Sequence, residues 1–518
     1  MSATPPVPHA PLQGSARMWG TLALSAATFM NVLDTSIANV SLPAIAGDLG
    51  VSPNQGTWVI TSFAVANAIS VPLTGWLSQR FGQVRLFVAS VLLFVLASWM
   101  CGLAPSMPAL IAMRAVQGFV AGPMIPLSQS MLLGSYPRAM AGSAMAMWSM
   151  TVLVAPVVGP LLGGWITDNI SWPWIFYINV PVGVLAALAS WRIYAPREST
   201  IRKLPIDAVG LALLVVWVGA LQMMLDLGKE HDWFHSGLIV TLAALAAVAF
   251  AAFLVWELTE AHPVVDLKLF ALRNFWGGTV ATSVGYGLFF GNVVLLPLWL
   301  QQFMGYTATD AGLVTAPVGL LALLLSPIVG KTVARVDPRR YATFAFLVFG
   351  VVLWMRSRFN TQADMGTILV PTLIQGVAMA FFFIPLSTIT LSGIAPERMP
   401  AASGLTNFVR ITAGAIGTSV STTLWENRAA LHHAQLVEHL QQGDEAARQA
   451  LQLFQGVGSA DQALAQLNRL VDQQAFMLAA NDVFYGSAVL FMLLIPLVWV
   501  TRPRQAGAGG AEAAAGAH

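Results

Sequence analysis

The stretch "PLTGWLSQRFGQVR" (72–85) returns 255 positions later as "PIVGKTVARVDPRR" (327–340). Gly75, Arg80 and Arg85 in the first copy match Gly330, Arg335 and Arg340 in the second at identical spacing. Two further pairs follow in the same order. "QGFVAGPMIPLS" (117–128) matches "QGVAMAFFFIPLS" (375–387) with one residue inserted, and "YPRAMAGSA" (136–144) is echoed by "PERMPAASG" (396–404). Single matches among so many Gly and Pro residues carry little weight. Three in order, all near an offset of 254–260, indicate an internal duplication.

Composition fixes the solvent of the duplicated unit. Of the 518 residues 57% are hydrophobic and 9% charged, with mean hydropathy +0.71, against about 25% charged in soluble domains. So much apolar surface belongs in lipid. The net charge of +2 argues against a nucleic-acid partner, and the lone cysteine, Cys101, excludes an internal disulfide. Runs of roughly 20 apolar residues predict 14 spanning helices. Lys and Arg divide as 17 at the termini and even-to-odd connections and six on the opposite side, Arg356 among the six, with Arg114 and Arg410 inside spans. That bias predicts both termini in the cytoplasm. The first span reads as uncleaved, since no small-residue cleavage site follows a short apolar run.

The duplication maps spans 1–6 onto spans 9–14 and leaves 7 and 8 as an insertion. The expected organisation is a cytoplasmic tail (1–18), a six-helix bundle (19–194), a linker with two extra helices (195–271), a second bundle (272–500) with a periplasmic segment (426–476), and a disordered tail (501–518). Two homologous bundles around a midplane site are the layout of a rocking transporter.

At this level the chain resembles the major facilitator superfamily, and within it the 14-helix drug:proton antiporters of the EmrB/QacA subfamily, most of all its EmrB-like exporters. The resemblance rests on "LDTSIANVSLPAIAGDLG" (33–50), "GWLSQRFGQVRLF" (75–87), "LIAMRAVQG" (110–118), "GPLLGG" (159–164) and "WPWIFYINVPVG" (172–183). It extends through "GKEHDWFHS", "VDLKLFALRNF", "LQQFMGYTATDAG" and "NRAALHHAQL". Two positions depart from the pattern: Gln79 stands where members often carry an aspartate, and Ala155 where the helix-5 motif usually begins with glycine. The resemblance implies an all-α major facilitator fold in the bacterial inner membrane. It also implies proton-driven export of hydrophobic or amphipathic compounds, with a periplasmic adaptor and an outer-membrane channel as partners. The alternative is a major facilitator transporter of one specific solute, exporting a metabolite or siderophore or taking a solute up by symport. No Walker-type phosphate loop occurs, so ATP is not the expected energy source. No catalytic cluster points to an enzyme, and no cofactor is called for beyond the proton gradient.

Two charges inside the spans are the candidates for proton coupling. Asp34 lies 15 residues past Trp19, about 22 Å along a helix. Arg114 is at a similar depth in span 4. An isolated charge at mid-bilayer costs at least ~2.5–3.5 kcal/mol, so pairing explains how both are tolerated. The pair is either a static clamp on helix packing or a proton carrier. Desolvation and a nearby cation pull an aspartate's proton affinity in opposite directions, so a cavity of changing hydration can tune it. Asn31, Gln117, Asn292, Gln375 and Arg410 are the candidate cavity residues. Asn31 shares the helical face of Asp34, and Asn292 falls near its repeat equivalent. For Gln117, Asn292 and Gln375 an interhelical hydrogen bond is the plainer role; for Arg410 the choice lies between an anionic substrate and packing.

Gly75, Arg80, Gly82, Arg85, Arg335 and Arg340 form the candidate gate on the cytoplasmic face, the plainer reading being positive-inside anchors. On span 5, Gly159, Gly163 and Gly164 admit a close neighbour and Pro160 permits a kink. The resemblance adds a role for this motif in sealing against proton leak. His432 and His433 are adjacent and point apart on a helix with no third ligand nearby, so no metal site is expected. Segment 426–476 reads as a helical cap or a docking surface.

Overall fold

The computed structural model describes residues 10–51, 56–137, 140–202, 205–333, 335–439 and 460–502. Lipid offers no partner to a backbone N–H or C=O, so apolar runs of this length close their hydrogen bonds within helices. Among the described residues there is no strand. Helices α1 (Gly14–Asp48), α2 (Trp58–Phe81), α3 (Gln83–Gly102), α4 (Met107–Ser135), α5 (Ala141–Asn169) and α6 (Trp174–Arg197) make the first half. The pair α7 (Ala208–Leu227) and α8 (Gly237–Thr259) follows. The second half is α9 (Arg273–Phe303), α10 (Asp310–Thr332), α11 (Pro338–Arg356), α12 (Met365–Thr390), α13 (Met399–His439) and α14 (Ala460–Val500).

Ten of these helices are long and apolar enough to cross a membrane, and α5 makes eleven if its two bent segments count as one. The other three are α1, α11 and α13. They carry the buried polar side chains Asn31 and Asp34, Arg356, and Asn407 and Arg410, which lowers their apolar character while their outer faces remain greasy.

Breaks fall where proline removes a donor. α2 passes through a 3-10 turn at Val71–Leu73 containing Pro72, and α4 breaks between Ala121 and Met124, at Pro123. α5 bends by 42° between Ala141–Pro156 and Leu161–Asn169. Helix starts are capped by acids: Asp207, Asp337 and Asp364 each accept from a backbone N–H of the first turn.

Each half has its own core. Phe87, Phe94, Met124, Trp148 and Tyr194 belong to the first, while Phe346, Phe349, Phe382, Phe484 and Phe491 belong to the second. The inserted pair sits against α2 and α13. Trp217 of α7 meets Phe250 and Phe253 of α8 and Phe408 of α13 at centroid distances of 4.8, 5.8 and 5.6 Å.

At the end of the bundle that bears both termini, the halves touch backbone to backbone. A Cβ on Gly75 would lie 2.5 Å from the Ala401 Cβ, and one on Gly330 would lie 2.8 Å from the Gly142 carbonyl oxygen and 2.6 Å from the Ala146 Cβ. The two contacts are related by the duplication: α2 against α13, and α10 against α5. The same face is tied by Leu12 N–H to Ser135 O (2.9 Å), Arg202 N–H to Gln79 O (2.8 Å) and an Arg398–Asp266 ion pair (2.7 Å).

Two expectations need correction. Arg356 does not lie on the outer face: it ends α11 and is 1% exposed, so among the described residues Lys229, Arg358, Arg428 and Arg469 remain for that face and three arginines are buried. Segment 426–476 is not separate from the spans either. α13 and α14 run unbroken for 41 residues each, about 60 Å, twice the hydrocarbon thickness. They pair along their outer ends through His432–Asp482 (2.9 Å) and His433–Asp472 (2.8 Å). Residues 440–459 lie outside the described residues, as do nearly all of the tail 501–518 and residues 1–9.

The seam geometry predicts that Gly330→Leu forces the halves apart at the terminal face. In an Ala146→Cys background, where the native Cys101 is buried, maleimide labelling of position 146 should rise severalfold on adding Gly330→Leu. Unchanged protection would show that the seam tolerates the side chain.

Candidate functional site

Asp34 and Arg114 meet inside the first half, the guanidinium Nη1 2.6 Å from Oδ2 with both side chains 1% exposed. The carboxylate is fully dressed. Its Oδ1 accepts from Gln117 Nε2 (3.0 Å) and from Asn179 Nδ2 (2.8 Å). Gln117 in turn accepts from Arg114 Nη1 at 2.7 Å, which closes a three-membered ring of contacts. The spacing explains this: Arg114 and Gln117 are three apart on α4 and share a face.

A second layer holds the cluster. Arg114 Nε donates to the Val59 carbonyl of α2 (3.1 Å), and its plane lies over Phe63 at 4.3 Å and near Phe176 at 5.6 Å. Asn179 also donates to Ser98 Oγ (3.0 Å), which donates to Phe176 O (2.9 Å). Helices 1, 2, 3, 4 and 6 thus converge on one ion pair. All of its polar partners come from the first half.

Close packing of α5 on α1 completes the enclosure. A Cβ on Gly159 would lie 2.5 Å from the Ser36 Cβ, and one on Gly163 3.1 Å from the Ile37 methyl. Gly164 is looser, with Val40 3.9 Å away. Pro160 lies on α5 within the bend, and its side chain is outside the described residues.

The second half carries a related centre without the acid. Asn292 and Gln375 stand 258 residues beyond Asp34 and Gln117, and Thr372 stands where Arg114 does. A guanidinium is still present, supplied by α11. Arg356 donates to Gln375 Oε1 (2.6 Å) and Thr372 Oγ1 (3.2 Å). Asn292 donates to Ser487 Oγ (3.1 Å) and to Leu288 O (2.6 Å). Sequence reasoning missed Arg356, Asn179, Ser98 and Ser487. At the end of α11 Arg356 reads like an interfacial anchor, and the other three carry no signal beyond their type.

The remaining candidates spread over the molecule. Asn31 donates to Ala121 O (3.1 Å) at the break in α4, an interhelical bond. Arg410 is 4% exposed and donates to Asn407 Oδ1 at 2.7 Å. On the terminal face, Arg80 lies over the Trp76 ring at 5.4 Å, and Arg85, Arg335 and Arg340 are exposed. Gly82 has φ of +89°, and a Cβ there would fall 2.6 Å from the Glu198 carboxyl carbon. That carboxylate accepts from Val84 N–H (2.9 Å) and Arg85 N–H (2.8 Å), so it caps the positive end of α3. Glu198 gives the 2–3 loop an acid where Gln79 provides none. Asp337, in the repeat-related loop, holds the Arg339 guanidinium at 2.6 Å. The Arg339 hydrogen bonds keep its carboxyl below the usual carboxylate range. Among the described residues no group of three metal-ligating side chains occurs.

Two duplicated helical bundles, one of them enclosing an acid–guanidinium pair, have the layout of a membrane transporter. The model for "Major Facilitator Superfamily" matches residues 24–418, and the chain belongs to that superfamily. It is 51% identical over 495 residues to "Multidrug export protein EmrB" of Haemophilus influenzae, covering 95% of this chain and 97% of that one. It is 51% identical over 502 residues to the protein of the same name from Escherichia coli K12, covering 96% and 98%. Identity to "Fatty acid resistance protein FarB" of Neisseria gonorrhoeae is 48% over 503 residues, covering 97% and 99%. The human organic anion transporter MFSD10 shares the fold, with TM-score 0.59 at 13% identity over 93% of this chain and 99% of that one.

Two measurements follow. Arg114→Gln strands a buried carboxylate, so it should destabilise the protein by about 3–5 kcal/mol, and the double variant Asp34→Asn/Arg114→Gln should recover much of that. Thermal melting of the purified protein in detergent checks both, with Asp34→Asn alone completing the cycle; a double-variant loss equal to the sum of the two single losses would show that the pair is not coupled. Asp337 titrates lower folded than unfolded, so its contribution is present above the ordinary value of about 3.9 and is lost as pH falls through the depressed one. Melting temperature should therefore fall more steeply below about pH 4 in the parent than in Asp337→Asn.

Proposed function

We propose that the protein is a proton-driven exporter of hydrophobic or amphipathic compounds in a bacterial inner membrane. The observation that carries this is the enclosed Asp34–Arg114 pair, in a chain about half identical to proteins named for multidrug export. The Lys and Arg bias places the terminal face in the cytoplasm. The tight contacts at Gly75 and Gly330 then lie on the cytoplasmic side.

The chemistry of exchange follows from the cluster. With Asp34 ionised the ring of partners is neutral overall. A proton on Asp34 removes the charge-assisted bond and leaves the guanidinium with Gln117, Val59 and the Phe63 face. The neutralised state then carries one net positive charge inside the first half. Such a charge is costly in a dry bundle and cheap once the helices part and admit water. Protonation thus favours rearrangement of α1 against α4 and α6, and deprotonation restores the clamp. Asp34 takes its proton from the periplasm and gives it up to the cytoplasm as cargo moves outward.

The outer ends of α13 and α14 extend beyond the bilayer and offer a surface for a periplasmic adaptor, with an outer-membrane channel beyond it.

Purified protein in liposomes, with a fluorescent drug as cargo, tests the reading. Asp34→Asn should insert and fold yet fail to concentrate drug when a proton gradient is imposed, and drug addition should no longer release protons. Accumulation at the parent rate by the Asn variant would rule out Asp34 as the carrier.

A further inference from the structure

A second pair of acids, Asp207 and Glu257, meets at the inner ends of α7 and α8, away from Asp34. Asp207 caps α7, and its Oδ1 accepts from Gly210 N–H at 2.8 Å. The Trp256 indole of α8 donates to both of its oxygens, at 2.9 and 3.0 Å. Glu257, the next residue of α8, is 1% exposed. Its Oε2 accepts from Val265 N–H at 3.0 Å. Its Oε1 is buried and has no hydrogen-bond partner. That oxygen is turned toward Asp207. A Cβ on Gly210 would lie 2.6 Å from Glu257 Oε1 and 2.2 Å from Asp207 Oδ2, so the two oxygens flank one point.

No ion pair among the described residues includes either acid. The charged groups that act on Glu257 are Asp207 and Glu260, both acids. Farther along the connector Asp266 is taken by Arg398 at 2.7 Å, while His262 and Lys268 line the hollow beside Gly75. Arg80 of α2 lies over Trp76. Two adjacent carboxylates without a cation resist being ionised together. A proton on Glu257 Oε1 removes the repulsion and turns an unpaired acceptor into a donor toward Asp207 Oδ2. A metal ion fits less well, because the Asp207 oxygens already face the Gly210 and Trp256 N–H groups. Among the described residues no third metal-ligating side chain joins the two.

We propose that Asp207 and Glu257 share one proton, and that this proton pins the inner ends of α7 and α8 to the connector leading into the second half. Val264 and Val265 of that connector line the same hollow as Gly75 and Ala401, whose contact closes the seam. The next residue, Asp266, holds Arg398 just ahead of α13. Loss of the proton leaves two negative charges face to face beside Glu260. The end of α8 then moves off α7, and the connector loosens at the seam. The grip of the connector thus answers to the proton concentration on the terminal face, separately from the exchange at Asp34.

A thiol at position 264 reports that grip. Val264 is 5% exposed and the native Cys101 is buried, so maleimide reaches Val264→Cys when the connector loosens. Labelling rates of the purified full-length protein are divided by the rate for glutathione at each pH, which removes the ordinary rise in thiolate. The normalised rate should climb at least about fivefold from about pH 6 to about pH 9. Glu257→Gln puts an amide N–H in the place of the shared proton, and Asp207→Asn can donate to an ionised Glu257. Either change, added to Val264→Cys, should flatten the climb. The infrared spectrum of the parent should also lose a carboxylic-acid C=O band over the same range. Absence of that band at about pH 6, or no climb in Val264→Cys alone, overturns the proposal whether or not either variant folds. So does an undiminished climb in either folded variant. Protection restored at high pH by sodium or calcium chloride, and not by choline chloride, would give the site to a metal cation and likewise overturn it.

Discussion

The first half is organised around one requirement: a carboxylate held away from water needs its charge answered and its lone pairs filled. Arg114 answers the charge, and Gln117 and Asn179 fill the remaining positions. Meeting that requirement recruits five helices. It fixes the rotation of α1, α4 and α6 and places Phe63 beneath the guanidinium. The small residues on α5 follow from the same need, since only a helix without side chains at Gly159 and Gly163 closes against α1 tightly enough to exclude water.

The duplication makes the electrostatics legible by contrast. Both halves keep a glutamine, Gln117 and Gln375, beside a buried guanidinium. Only the first keeps the acid, for Asn292 stands in its place. Only the first half therefore pairs its buried guanidinium with a carboxylate.

Much of this architecture was open to sequence. Apolar run length pointed to the helices, ten of which are long and apolar enough to span while α1, α11 and α13 carry buried polar side chains, and the repeat of Gly75 with Gly330 anticipated a face where the halves approach. The matched depths of Asp34 and Arg114 brought them to one level. Side-chain partners over long separations were not readable. Asn179 is 145 residues from Asp34, and asparagines elsewhere in the chain look the same. Arg356 was misplaced because a charge near a helix end resembles an interfacial anchor, and only packing distinguishes the two. Glu198 escaped notice because its service to the 2–3 loop is tertiary, reaching back more than a hundred residues to Val84 and Arg85.

The length of α13 has a mechanical consequence. One continuous rod starts against Gly75 at the seam, carries Asn407 and Arg410 in its first third, and runs past His433 to His439. Nothing along it is free to flex independently of the hydrogen-bonded backbone. A tilt of a few degrees that loosens its inner end sweeps the outer end sideways by several ångströms, as a lever does about a fulcrum. Any tilt of the inner end is thereby magnified at the far tip by stiffness alone.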